Sequence, residues 1–204
     1  MKCLMIIAAF CVFLSANPLI TEQYGDRFTR SELPTGEWEQ VESVHYFDTT
    51  IWLYSKADRK IACYDSTGVF QREIVLPSIG RSNYLGEDFV VLADTIFFLN
   101  CIDNRLERFT GDGKQLTAIP YDRNQFIREG SRAERLISTI TRENSLILIG
   151  TRSVRSYFDL STMRFSSVRH LQDSARNTTK TMFIQGVEYR LHDDSHTVTV
   201  EAVR

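Results

Sequence analysis

The sequence predicts an all-β fold built from repeated four-stranded antiparallel sheets. Three observations carry this. Short runs rich in β-branched and aromatic residues recur from Val41 onward, joined by segments containing Asp, Gly, Ser and Asn. No stretch after the first residues shows a sustained helical period. Residues 59–74, RKIACYDSTGVFQREI, return at 104–119 as NRLERFTGDGKQLTAI, a spacing of 45 residues.

The elements follow in chain order. Met1-Lys2 is a minimal positive start, and CLMIIAAFCVFL (Cys3–Leu14) is an uninterrupted apolar run. A spanning helix needs about 20 such residues, so this run suits a secretory signal cleaved near Ala16, residues 1–16. Lipidation at Cys11 is the competitor, and Phe10 disfavours it, because a small residue is required there. The expected location is therefore secreted or periplasmic, with no membrane attachment after cleavage. Asn17 to Gln40 contains Pro18, Gly25, Pro34 and Gly36 and reads as an N-terminal arm outside the core. Residues 41–204 read as the β domain.

Strands are predicted at Thr50–Tyr54, Lys60–Tyr64 and Val69–Leu76, then at Phe89–Ala93, Thr95–Asn100, Arg105–Thr110 and Lys114–Ile119. A third set is Leu136–Thr141, Ser145–Gly150, Val154–Asp159 and Met163–Val168, and a fourth is Thr181–Ile184, Val187–His192 and Thr197–Val203. STG, GDG, TREN and DDS suit tight antiparallel connections. Ile51 and Ile96, Tyr64 and Phe109, Gly68 and Gly113, and Ile74 and Ile119 correspond at the same spacing of 45. A looser third copy matches Ser145-Leu146-Ile147-Leu148-Ile149 to Thr95-Ile96-Phe97-Phe98-Leu99, and Tyr157-Phe158-Asp159 to Cys63-Tyr64-Asp65. Four short strands in such a period are the signature of propeller blades, each too small to bury both faces without neighbours.

Ser55–Ile74 and Asn100–Ile119 resemble NHL-type repeats, within the wider TolB-like group of six-bladed β-propellers. Arg59, Lys60, Ile61, Tyr64, Asp65 and Gly68 carry the pattern in one copy. Asn104, Arg105, Leu106, Phe109, Asp112 and Gly113 carry it in the other. The resemblance implies an aromatic filling the space between blades and a Gly with positive φ in the hairpin. It covers about Val41 to Leu171. The Pro-X-Gly opening of such blades is absent, and the third copy has Leu160-Ser161-Thr162 where the turn Gly stands. Six blades of about 45 residues need about 270, whereas 188 residues follow the leader. The expectation is three or four β-propeller-like blades in an incomplete or open ring, completed in one version by an oligomer or a partner chain.

Function is less constrained. The net charge of −2 suggests no nucleic-acid partner. The resemblance also implies a calcium-dependent hydrolase or lyase as an alternative, since such propellers gather carboxylates and Asn side chains at the channel. Asp48, Asp94, Asp103 and Asn104 are the weak metal candidates, with Asp58 and Asn100 beside them. Residues 192–196, HDDSH, read as a hairpin, so the spacing of His192 and His196 carries no helical metal pair. His45 and His170 have no obvious companions. There is no nucleophile elbow, phosphate-cradling Gly loop or Cys-X-X-Cys pair. Arg123–Arg135 reads as a solvated insert between blades, and Asn177-Thr178-Thr179 is a glycosylation sequon. Trp38, Tyr46, Trp52 and Tyr84 suit packing better than a glycan surface. Cys63 and Cys101 remain after the leader; an oxidising compartment permits a disulfide, but two buried thiols fit better. The favoured reading is a secreted binding or interaction module without catalytic machinery or cofactor, taking a protein, glycan or peptide ligand on its loops or channel face.

Overall fold

Short antiparallel strands joined by turns of two to four residues build the first two blades. The computed structural model describes residues 18–29, 31–32, 38–39, 41–79, 85–86, 88–122, 139–143, 146–150, 154–165, 169–170, 180–193 and 196–203. The leader, the Arg-rich stretch, Tyr84 and the sequon lie outside these residues. Among the described residues there is no helix.

The first blade is β4 (Val41–Phe47), β5 (Thr50–Ser55), β6 (Lys60–Asp65) and β7 (Phe70–Val75), hydrogen-bonded in that order. The second is β8 (Phe89–Leu92), β9 (Thr95–Asn100), β10 (Arg105–Thr110) and β11 (Gln115–Pro120). The third is β12 (Thr139–Glu143), β13 (Leu146–Gly150) and β14 (Val154–Asp159), with β15 (Arg164–Phe165) and β16 (Arg169–His170) both on the outer edge of β14. The fourth takes β17 (Thr181–Ile184), β18 (Val187–Asp193) and β19 (Thr197–Ala202) from the end of the chain, and its outermost strand, β1 (Ile20–Gln23), from the beginning. A small hairpin, β2 (Ser31–Glu32) with β3 (Trp38–Glu39), lies between β1 and the first blade in sequence.

The architecture is an open, propeller-like array. Its order in space is fourth, first, second, third: β17 lies beside β4, and β12 beside β8. Three cores lie between consecutive blades. Ile51, Leu53, Tyr64, Met182 and Val198 bind the fourth to the first. Tyr54, Cys63, Phe89, Phe98 and Phe109 bind the first to the second. Phe97, Leu106, Ile147 and Phe158 bind the second to the third. Tyr64, Phe109 and Phe158 each stand next to the turn that ends the blade's third strand, and each fills the gap toward the preceding blade, as the repeat implied. No core of described residues joins the third blade to the fourth.

The structure adds β4 (Val41–Phe47), a strand that the sequence pattern does not predict, begins the strand predicted at Met163–Val168 at Arg164 (β15), and differs in two further places. The segment read as an arm enters the core: Ile20 pairs with Val200, and Ile20 and Phe28 are buried between the fourth and first blades. Its polar composition reflects a strand with one exposed face. The third copy also slips by one residue. Glu143 pairs with Leu146 as Leu92 pairs with Thr95, so Ile147, not Leu146, takes the place of Ile96. A one-residue slip reverses every side chain across a sheet.

The β6–β7 and β10–β11 turns show why glycine recurs. Gly68 and Gly113 have φ of 83° and 89°. Space demands glycine as well. A Cβ on Gly113 would stand 2.8 Å from Ile74 Cγ2 and 2.9 Å from the Val75 carbonyl oxygen, on the outer strand of the preceding blade. A Cβ on Gly68 would overlap the Leu19 carbonyl oxygen. Gly186 has the same φ of 83° with nothing near it. Gly186→Ala is therefore expected to cost about 1 kcal/mol and Gly68→Ala more than about 3 kcal/mol, by denaturant unfolding. Equal losses would show that backbone conformation alone selects glycine at Gly68.

Aspartates tie the same turns. Asp65 accepts the Thr67 hydroxyl at 2.6 Å, the Thr67 N–H at 2.9 Å and the Val69 N–H at 3.1 Å. Asp159 accepts the Ser161 hydroxyl at 2.7 Å and its N–H at 2.8 Å. The Thr110 hydroxyl donates to Asp112. These donors hold the three carboxyl groups below the usual aspartate range, the hydroxyls acting most strongly. Their stabilisation is complete above the unfolded aspartate pKa of about 3.9 and is lost as pH falls through the lower folded values. Thermal stability should thus fall below about pH 4, and Asp65→Asn should flatten that fall; an unchanged acid limb would remove these turns from the account.

Candidate functional site

The inner strands carry the most convergent polar group. The β4–β5 turn is Asp48-Thr49, with φ of 48° and 70°, and the β8–β9 turn is Ala93-Asp94, with φ of 50° and 56°. Both turns stand at the same end of their blades, so Asp48 and Asp94 do share a rim. Arg142 reaches this rim from β12. One guanidinium nitrogen donates to the Val91 carbonyl at 2.9 Å and to Asp48 Oδ2 at 3.0 Å, and the other to Asp48 Oδ1 at 3.3 Å. Arg142 thus ties three blades together, and its guanidinium lies 6.0 Å from the centre of the Phe47 ring.

About three residues, or about 10 Å, back along β4 stands His45. Its Nε2 lies 2.5 Å from Asp88 Oδ1, with both side chains mostly buried. Asp88 also accepts the Phe89 N–H at 2.8 Å. The His45 ring stacks on Phe47 at 5.1 Å and meets the edge of Phe89 at 5.0 Å. Two aromatic rings therefore fix the imidazole while a carboxylate holds one nitrogen.

The remaining metal candidates lie at the opposite end of the second blade. Asn100 Oδ1 accepts the Asp103 N–H at 2.9 Å, its Nδ2 donates to Asp103 Oδ2 at 3.1 Å, and Arg105 donates to the same oxygen at 3.0 Å. Asn104 adopts φ of 54°, and its carbonyl accepts the Tyr121 N–H at 3.0 Å. Arg59 does the same 45 residues earlier, with φ of 51° and the Leu76 N–H at 2.8 Å. The first residue of each Arg-Lys or Asn-Arg pair of the repeat is thus a turn residue in the left-handed region, and the second opens β6 or β10. Asp58 accepts the Ser55 hydroxyl at 2.7 Å and the Thr29 N–H at 2.9 Å. Asp48 and Asp94 are thereby separated from Asp103 and Asn104 by the length of a blade. Among the described residues no group of three or more His, Cys, Asp or Glu is placed to hold a metal ion.

His192 lies on β18, half-exposed, 3.1 Å from Glu201, and His196 precedes β19, which pairs antiparallel with β18. Trp52 is buried in the core between the first two blades, and Tyr46 packs on the core between the fourth and the first. Sequence reasoning missed His45 with Asp88, because neither residue has a companion nearby in the chain. It also missed Arg142. A signal existed there: counted from the turn, Tyr46, Val91 and Arg142 occupy one position on the inner strands, and only the third copy places a charge at it. The buried Glu107 was missed too. Its Oε1 lies 2.5 Å from Arg105 Nε and accepts Asn100 Nδ2 at 3.2 Å, in the polar margin of the core between the first two blades.

Four antiparallel sheets packed face to face in an open ring define the class as propeller-like. No protein-family model matches the chain, and no curated protein matches it in sequence. Solved structures similar in shape are β-propellers of low identity. A protein of unknown function from Bacteroides caccae is 11% identical, with a TM-score of 0.43 over 83% of this chain and 56% of that one. The Pan2 WD40 domain of Neurospora crassa is 9% identical, with a TM-score of 0.44 over 92% and 52%. Glutaminyl cyclase of Myxococcus xanthus is 10% identical, with a TM-score of 0.45 over 79% and 73%. The chain spans about half the length of the first two. The fold assignment rests on the sheet topology.

The two cysteines among the described residues are free, Cys63 buried and Cys101 partly exposed in the β9–β10 turn. Burial pushes the Cys63 thiol up to about 11, against the opposing pull of Arg72. Iodoacetamide at pH 8 should label Cys101 in the folded protein and Cys63 only after unfolding, as read by peptide mass spectrometry. Equal native labelling would contradict the burial of Cys63.

Proposed function

We propose that this chain is a propeller-like interaction module that binds a protein, peptide or glycan at the rim where its inner strands meet. The observation that carries the reading is the row of side chains running back from that rim: Arg142 on Asp48 at the rim, then Phe47, then His45 on Asp88, contributed by three blades. A rigid array that presents loops and side chains from several blades recognises ligands without reactive groups. The apolar leader supports export. The NHL-type repeat pattern supports membership of that group of propellers, and open blade ends support an oligomer or a second chain that completes the array.

Peptide and glycan arrays probed with the mature protein test this. Binding is expected to fall at least about tenfold with Phe47→Ala, the loss of about 1.4 kcal/mol expected of an aromatic anchor. A ligand whose binding ignores both Phe47→Ala and His45→Ala would move the site elsewhere. Light scattering tests assembly, and a stable monomer at all concentrations would remove self-completion of the ring.

A further inference from the structure

We propose that Arg142 anchors a carboxylate-binding site at this rim, that Asp48 occupies it as an internal stand-in, and that the ligand it admits is an acidic side chain of a peptide; this rests on the binding-module reading above.

The argument starts from the asymmetry of the pair. The Arg142 side chain is 23% exposed, whereas that of Asp48 is 67% exposed. Arg142 is also fixed by the Val91 carbonyl at 2.9 Å. Asp48 is held less firmly, at the tip of a two-residue turn, with water on its open side. Released from the pair, its carboxylate is rehydrated at little cost. Arg142 then keeps its position and presents two nitrogens in the planar fork that suits a carboxylate.

The two contacts with Asp48, at 3.0 and 3.3 Å, show that a carboxylate fits the place. Phe47 supplies an apolar wall, with its ring centre 6.0 Å from the guanidinium. Charge selects the ligand. A carboxylate brings the single negative charge that Asp48 itself supplies there, whereas a phosphate would bring a larger charge beside Asp48. The position adds a second argument. Equivalent sites on the first two inner strands hold Tyr46 and Val91, both packed on cores, so the charge at Arg142 departs from the packing pattern of the repeat.

An exposed ion pair is a weak competitor, about 1 kcal/mol at most, so removing the Asp48 carboxylate should raise affinity by up to about fivefold. The probe is an acetylated, amidated Gly-Asp-Gly peptide, titrated into the isotopically labelled full chain while the backbone amide resonances of Phe47 and Thr49, present in every variant, are followed. Asp48→Asn keeps a residue that tolerates positive φ and is expected to bind about three- to fivefold tighter than the wild type. Arg142→Gln, with its fold checked by circular dichroism, is expected to abolish binding. Arg142→Lys should weaken it while preserving the charge. No gain in Asp48→Asn, or unchanged binding in Arg142→Gln, overturns the proposal. Inorganic phosphate that binds as tightly as the peptide overturns the choice of ligand. A ligand found on the arrays that depends on Phe47 and His45 but not on Arg142 overturns this inference and leaves the interaction module standing.

Discussion

The pairing of β1 with β19 is the constraint on which the rest of the array depends. Leu19 donates to the Val200 carbonyl at 2.7 Å, and Tyr24 to that of His196 at 2.9 Å, so the start of the chain is stitched to its end. The same segment also grips the first blade. Tyr64 donates to Glu22 at 2.7 Å, Lys60 reaches the Arg27 carbonyl at 3.0 Å, and the Arg27 guanidinium lies 3.5 Å over the Phe70 ring. Burial and the Glu22 contact push the Tyr64 hydroxyl far above the usual phenol range. Phe28 then inserts between the two blades. Burying a side chain of that size contributes about 2–3 kcal/mol. Without β1 the fourth blade would present an open β19 edge, and the core beneath it would lose Ile20 and Phe28.

This arrangement repeats around the array. The residues that leave each outermost strand turn inward and plug the next gap: Phe28 after β1, Leu76 and Ile79 after β7, and Tyr121 after β11. The outer strands themselves are guarded. Gln71, Arg72 and Glu73 are exposed on β7, and Pro120 ends β11 without a donor. The face of the fourth blade that looks away from the first is largely polar, with Arg190 on Glu188, His192 near Glu201 and threonines between them. A polar outer face is what a terminal unit of a repeat array needs in water. Openness there is therefore compatible with solubility, although Phe183 on the same face is 61% exposed.

Much of this was legible in the sequence because repetition exposes packing. Tyr64 and Phe109 recur at a fixed interval, and both fill gaps between blades; Gly68 and Gly113 recur for the same kind of reason. The sequence pattern was silent about β1 because a strand is recognised by its own residues, whereas this one is specified by a partner at the far end of the chain. ITEQ has only one strongly apolar residue, and its pairing with β19 supplies what composition does not. The rim was hidden differently. His45 and Asp88 meet only when two blades pack, and Arg142 was obscured by a slip of one residue in the third copy. Asp103 and Asn104 looked like ligands because turns and metal sites favour the same residues; here they close a turn.

The stitching of β1 to β19 also sets an order of events in time. β1 cannot complete its sheet until β19 has been made, since Ile20 waits for Val200. The first blade and the second can form from contiguous chain, with short loops to close, and contacts of that kind are made early. The fourth blade is the slow step, because its closure joins the most distant parts of the polypeptide. A nascent chain would thus carry β1 unpaired while the first three blades are made, exposed to wrong partners. The last hydrogen bonds to form would also be among the first to open.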